Sequence, residues 1–295
     1  MNAEAHTRPS RPDQASAAGI VLAGGRSTRM GQAKAELEWH GSTLLHRVCG
    51  LIRRVVDGPV VVVRAPGQKL PPLPDGVEVS EDAREGRGPL QGLAAGLSAL
   101  EGRARTAYVS STDVPLLHPA FVKAVLATVA REEVDVALPV AQGFRHPLAA
   151  AYRTELLADV EELIAADRMR PAFLFERCRV HELSEEELLA SRDLLAGDPS
   201  LLSLLNVNDP QEYERARARA APAVSVRCFG TLANGAGHQP LGASAATLGE
   251  AARAAGITLD RHVVAALNGD QISRDPELPL AAGDSVAFLA ADAGG

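Results

Sequence analysis

Lysine is scarce in this chain. Only Lys34, Lys69 and Lys123 among the 30 basic residues are lysines, the rest being arginine. We attribute the skew to GC-rich coding rather than to physical chemistry, but it makes a lysine inside a motif conspicuous. Cysteine is as rare: Cys49, Cys178 and Cys228 lie far apart, no CxxC occurs, and the odd count argues against a disulfide framework. Three small buried thiols in a reducing cytoplasm fit that usage. The histidines form no HxH or HExxH pair, so no zinc motif is present. No run of about 18 apolar residues exists, which excludes a membrane-spanning helix. Residues 1–16 lack the apolar stretch of a signal peptide and read as a disordered tail on a cytoplasmic protein. Positive charge is not in excess either. Thirty basic against 37 acidic side chains give a net charge of −7, which argues against a nucleic-acid partner bound through phosphate neutralisation.

What remains is a chain of 295 residues, 46% hydrophobic and 23% charged, enough to bury the cores of about two domains. Residues 18–22 form a short apolar run ending in Gly24-Gly25, a buried strand entering a loop. Helical spacing over 44–56 precedes Pro59 and four valines at 60–63, suited to a central strand. Further strands are predicted at 77–79, 107–111 and 134–140, with helices at 89–100 and 119–132. Apolar strands alternating with helices imply a parallel, doubly wound α/β sheet. Beyond Pro139 the alternation is less regular, with a strand over 147–152 and helices over 154–166 and 170–177. A helix starts at Asp209-Pro210-Gln211-Glu212, with Asp as N-cap and Pro at the first position, and runs to about 220. After Pro222 the pattern restarts: strands at 224–229, 263–267 and 285–289, and a helix at 247–255. These features divide the chain into a tail (1–16), a first domain (17–216), a linker (217–223) and a second domain (224–295).

The most informative segment is Leu22-Ala23-Gly24-Gly25-Arg26-Ser27-Thr28-Arg29-Met30-Gly31-Gln32-Ala33-Lys34. Following a strand, it lies at the C-terminal edge of the sheet, where open α/β sheets bind ligands. Its glycines allow close backbone approach, suited to an anion cradle, and Arg29 and Lys34 add charge. It is neither a Walker A loop nor GxGxxG. The segment resembles the signature loop of nucleotidyltransferases that attach nucleotides to phosphorylated small molecules. The resemblance implies that Leu22, Ala23, Gly24 and Gly25 touch the nucleotide while Arg29 and Lys34 meet its phosphates.

Three further segments carry the resemblance. Asp82 followed by Gly88-Pro89-Leu90-Gln91-Gly92-Leu93 is similar to the GPLAG segment of molybdenum cofactor guanylyltransferases, which implies nucleotide contacts for Asp82, Gly88, Pro89, Leu90 and Gly92. Ser111-Thr112-Asp113-Val114-Pro115 resembles the family's strand-end D-x-P, whose aspartate binds magnesium and faces the nucleotide. Asn206-Val207-Asn208-Asp209-Pro210 resembles a late N-x-N segment, with Asn208 as the second metal-site candidate; His146-Pro147-Leu148 also resembles a family segment. For Asp113, Asn206 and Asn208 a capping role stands as the alternative, and for Asp82 that of an exposed loop acid. The chemistry these groups suit is nucleotidyl transfer, which needs positioning and charge neutralisation. Mg2+ takes one or two carboxylates plus phosphate oxygens. The catalytic set is thus Lys34, Arg29 and Asp113, with no covalent intermediate, and the resemblance implies GTP as substrate.

The chain ends in Gly294-Gly295. With Val226-Arg227-Cys228-Phe229-Gly230, Leu267-Asn268-Gly269-Asp270 and the segment from Leu280 to Phe288, the second domain resembles a ubiquitin-like β-grasp sulfur carrier, the small subunit of molybdopterin synthase. That implies a thiocarboxylate at Gly295, an adenylating (E1-like) activating enzyme and the synthase large subunit as partners, and molybdopterin as the small-molecule substrate of the first domain. Two alternatives stay open: a cytidylyltransferase of the same pathway, and an inactive nucleotidyltransferase-like scaffold carrying a working sulfur carrier.

Overall fold

The computed structural model describes residues 15–24, 33–82, 86–131, 133–233 and 240–290. Strand β1 (Ala15–Leu22) leads, after the glycine-rich segment, to a small hairpin, β2 (Glu38–Trp39) and β3 (Ser42–Thr43), and to helix α1 (Leu44–Arg53). Then follow β4 (Val60–Arg64), β5 (Val77–Glu81), α2 (Pro89–Ala99), β6 (Ala104–Ser111) and α3 (Pro119–Val129). Next are β7 (Val136–Ala141), β8 (Phe144–Arg145), β9 (Ala149–Arg153), α4 (Leu157–Ala165), α5 (Pro171–Phe175) and β10 (Val180–Leu183). Helices α6 (Glu185–Leu189), α7 (Arg192–Gly197) and α8 (Pro210–Arg217) complete this part.

The main sheet runs β10-β7-β9-β6-β1-β4-β5. Its centre reads as continuous apolar sequence because both faces are covered. Along β4, Val60 and Val62 enter the core under α1 and α3, while Val61 and Val63 enter the core under α2 and α4. The chain winds from β1 through α1 to β4 on one side, then crosses by α2 to β6 on the other. The strand order therefore reverses between β1 and β6, which is where an open α/β sheet presents a ligand crevice.

The sheet is mixed, not parallel throughout as the alternation predicts. Strand β9 runs antiparallel to both β6 and β7. The reason is connection length: a parallel return needs a crossover of about a dozen residues. Between Ala141 and Ala149 the chain has only a turn at Gln142-Gly143, both at positive φ, and the two-residue β8. Strand β1 also begins inside the stretch read as a tail. Asp57 accepts the backbone N–H groups of Ser16 and Ala17, and the Ala15 N–H reaches the Arg103 carbonyl.

A second sheet follows: β11 (Ala223–Cys228), β12 (Leu241–Ser244), helix α9 (Leu248–Ala254), β13 (Val263–Leu267), β14 (Gln271–Ser273) and β15 (Ser285–Ala290). Its order is β12-β11-β15-β13-β14, with β11 and β15 parallel and the other pairs antiparallel. Leu248, Ala251 and Ala252 of α9 pack on Val224, Val226, Val286 and Phe288, a core separate from those of the main sheet. No described helix is long and apolar enough to cross a membrane.

Candidate functional site

The C-terminal ends of β1, β4 and β6 open into a cavity of about 440 Å³. From the sequence-predicted set, Leu22, Ala23, Gly24, Lys34, Asp82, Gly88, Pro89, Gly92 and Asp113 line it. Leu90 does not; it is fully buried in the core beneath α2. Gly25 and Arg29 lie outside the described residues, as do Gly294 and Gly295.

Each wall follows from local sequence. Ala23 prolongs the pairing of β1 with its N–H on the Val63 carbonyl, and Gly24 then lies against the next loop, where a Cβ would come within 3.3 Å of the Ala65 nitrogen. Gln68 ties the two loops together. Its carbonyl oxygen accepts the Ala65 N–H at 3.0 Å, and its amide donates to the Ala23 carbonyl at 3.0 Å. Gly88, at φ 97°, is the N-cap of α2, and Pro89 occupies the first helical position, where its missing N–H costs nothing. The N-terminus of an eleven-residue helix thus faces the cavity and favours negative charge there.

Charge converges at the other wall. Lys34 Nζ donates to Asp113 Oδ2 at 2.7 Å and to Asn208 Oδ1 at 3.1 Å. Both members of the Lys34–Asp113 pair are largely buried, at 19% and 14% side-chain exposure, so the pair is less screened than a surface bridge. Asp113 is held from two more directions: Ser111 Oγ donates to its Oδ1, and its carbonyl accepts the Val207 N–H at 2.9 Å. Asn208 is brought in by α8. Asp209 caps that helix by accepting the Glu212 N–H, and Glu212 in turn accepts the Asn208 N–H at 2.7 Å. Trp39, Leu44 and Tyr213 share a core, so the hairpin just after Lys34 is packed against α8. Residues 34 and 208 meet because those neighbouring elements do.

The donor set suits a divalent cation. One carboxylate and one amide oxygen already converge on a cationic group, and a hard cation bound there would take its other ligands from phosphate and water. Among the described residues no group of three or more His, Cys, Asp or Glu side chains could hold a metal unaided.

Val63, Arg64, Ala65, Gly86, Ser111, Thr112 and Leu148 also line the cavity but were not singled out as site residues by sequence reasoning. For Val63, Arg64, Ala65, Ser111 and Thr112 the signal was positional, at the exits of the predicted strands over 60–63 and 107–111; Gly86 carried none. Leu148 belongs to the His146-Pro147-Leu148 segment noted above. Burial pushes the His146 pKa down, against a smaller opposing effect of the Ala141 backbone.

Comparison with known proteins places this geometry in context. The MobA-like NTP transferase domain matches residues 19–181. A probable molybdenum cofactor guanylyltransferase of Mycobacterium tuberculosis is 38% identical over 168 residues, 56% of this chain and 82% of that protein. One from Mycobacterium ulcerans is 39% identical over 165 residues, 55% and 80%. Among solved structures, molybdopterin-guanine dinucleotide biosynthesis protein A from Archaeoglobus fulgidus has the same fold, with a TM-score of 0.54 at 21% identity, covering 68% of this chain and 96% of that one.

Proposed function

The chain belongs to the MobA-like NTP transferase family and is a nucleotidyltransferase of the molybdenum cofactor guanylyltransferase type, and from that premise we propose that it transfers GMP from GTP to the phosphate of molybdopterin or its molybdenum-bound form, releasing pyrophosphate. The observation that carries the reading is the meeting of Lys34 and Asp113 in the wall of a glycine-lined cavity, with Asn208, outside that lining, bonded to the same ammonium. In this reading the nucleotide lies along Leu22, Ala23, Gly24 and Gly25, with Asp82 and the α2 N-terminus opposite. Lys34 and Arg29 offset the charge that builds on the α-phosphate as the acceptor phosphate attacks. Asp113 and Asn208 would hold Mg2+, which would neutralise phosphate charge and favour departure of pyrophosphate. Pyrophosphate release measured with purified molybdopterin and GTP, CTP or ATP tests it. GTP is expected to be the preferred donor; turnover with CTP alone would make the chain a cytidylyltransferase.

For the second sheet we propose a β-grasp sulfur carrier. The reading is supported by the order β12-β11-β15-β13-β14, by the parallel central pair, and by the single helix packed on one face. The terminal Gly294-Gly295 would be adenylated by an activating enzyme, converted to a thiocarboxylate, and presented to the synthase large subunit. Incubation with ATP, that enzyme and a sulfur donor should produce a sulfur-for-oxygen mass shift on the C-terminal peptide. No shift would leave the domain without this role.

A further inference from the structure

One stripe of α1 is built of groups that its own domain does not use up. Arg47 is 3% exposed, yet its guanidinium satisfies three backbone carbonyls from distant parts of the chain. Its Nε donates to Pro115 at 2.6 Å, and its two terminal nitrogens donate to Ala246 at 3.0 Å and Leu280 at 3.1 Å. Two of these carbonyls belong to the second sheet domain; the third lies two residues after Asp113. Burial, with Arg54 close by, pushes the Arg47 pKa down to about 10, which still leaves it charged at neutral pH. A buried charge is strongly destabilising unless it is fully hydrogen-bonded, so this guanidinium is stable only while all its acceptors stay in place.

The far end of the same turn is tied down as well. His118 Nδ1 accepts the Ala120 N–H, which leaves Nε2 to carry the proton and donate to the Ala282 carbonyl at 3.1 Å. Two turns further on, at the C-cap of α1, Arg54 forms a paired contact with Asp284 at 2.6 and 2.9 Å, both side chains being almost completely buried. The turn between Asp113 and His118 is therefore held at Pro115 by Arg47, itself anchored on the second domain, and at His118 by the second domain directly.

We propose that Arg47 is a positioning residue for nucleotidyl transfer: it uses the docked C-terminal domain as a brace for the Pro115 carbonyl, and through that turn fixes Asp113 against Lys34. The second domain is then part of the machinery of the first, whatever its own terminus does.

Arg47→Met, Arg47→Lys and Arg54→Gln in the full-length chain test this. Arg47→Met should raise backbone amide exchange across residues 114–118 by about tenfold and lower kcat by at least about tenfold, since small misplacements of a reacting group have large effects on rate. The KM for GTP should stay within about twofold, because Asp113 is the one wall residue displaced and Leu22, Ala23, Gly24 and the α2 N-terminus stay in place. Arg47→Lys, which keeps the charge but loses the fork, should fall between. Arg54→Gln loosens the docking without contact to the turn and should move both readouts the same way by less. A purely structural role would lower the folded fraction and leave kcat per folded molecule alone. Parent-level exchange and kcat in any folded Arg47 variant would overturn the proposal, as would parent-level values in Arg54→Gln should Arg47→Met not fold. The kcat measurement rests on the guanylyl-transfer reading. A parent chain inactive with GTP would refute that reading only, since amide exchange reports on the turn without turnover.

Discussion

Lys34 is the residue on which most of the site chemistry rests, and its surroundings say what its loss should do. Two oxygens, Asp113 Oδ2 and Asn208 Oδ1, are aimed at one ammonium within hydrogen-bonding distance. A preorganised donor facing developing charge is worth roughly 10²–10³ in rate. Lys34→Ala should therefore lower kcat for pyrophosphate release by about that factor while the fold persists, as read by circular dichroism. Full pyrophosphate release by the variant would show that Lys34 does not carry the chemistry, whereas an inactive scaffold requires a parent chain without turnover and cofactor formation in vivo that survives Lys34→Ala. Gln68 makes a different kind of contribution. Its side chain joins the exits of β1 and β4 through Ala65 and Ala23, while its backbone carbonyl accepts from the cavity-lining Arg64 at 3.0 Å, a bond that a side-chain substitution keeps. Gln68→Ala should cost about 1 kcal/mol of stability. Its functional effect should be a several-fold rise in the KM for GTP with kcat little altered, measured by steady-state titration.

At the scale of elements, the long apolar strands and the strand-end motifs were legible because burial on both faces leaves an unbroken signature. The glycine-rich segment and Asp113 could be placed at strand ends from the apolar runs before them, whereas the Gly88-Pro89 segment was placed only by the family resemblance. Short elements were not legible: β8 has two residues and β14 three, too few to show a period. The direction of β9 was missed because its alanines carry no alternation, and only the length of the preceding loop decides it. The α1 stripe was hidden for another reason. Arginines on a helix read as a solvated face, and nothing local marks Arg47 or Arg54 as buried. Gly50 lies on the same stripe, and it shows how close the contact is. A Cβ there would sit 2.7 Å from the ring carbons of Pro279. Glycine inside a helix ordinarily costs about 1 kcal/mol against alanine. Here the order should reverse, because the proline ring is rigid and the docking must shift to admit a methyl group. Gly50→Ala is expected to destabilise by about 1–3 kcal/mol, with faster amide exchange over residues 279–284; a stabilised variant would mean that the two domains are not in close contact there.

For the whole molecule, the consequence of this docking is a dependence on pH that neither domain would show alone. His46, beside Arg47 on α1, is buried, and its two ring nitrogens face carboxylates of the second domain, Asp275 at 3.6 Å and Glu277 at 3.7 Å. These distances are those of charge contacts rather than hydrogen bonds, and neither ring nitrogen makes a hydrogen bond. Ser42 holds Glu277 by a 3.0 Å hydrogen bond from its hydroxyl. Burial opposes a charge on the ring, but the two carboxylates and the nearby Pro72 carbonyl outweigh it and raise the His46 pKa above its ordinary 6.5. His46 in turn holds the Asp275 carboxyl below its ordinary range, against a smaller opposing effect of burial. The signs follow by linkage. The docked state binds the imidazole proton more tightly than the unfolded chain does. Its extra stability is complete below about pH 6.5 and fades as the pH rises through the raised value. Asp275 works at the other limit: its contribution is present above the ordinary aspartate range and is lost as the pH falls through its depressed value. The parent chain should therefore be more stable than His46→Gln at pH 5.5, and that advantage should shrink by pH 8.5. For a contact worth about 1 kcal/mol the change in Tm difference would be roughly 2–4 °C. A Tm difference that stays constant or grows over this range would show that the imidazole charge plays no part in joining the two sheets.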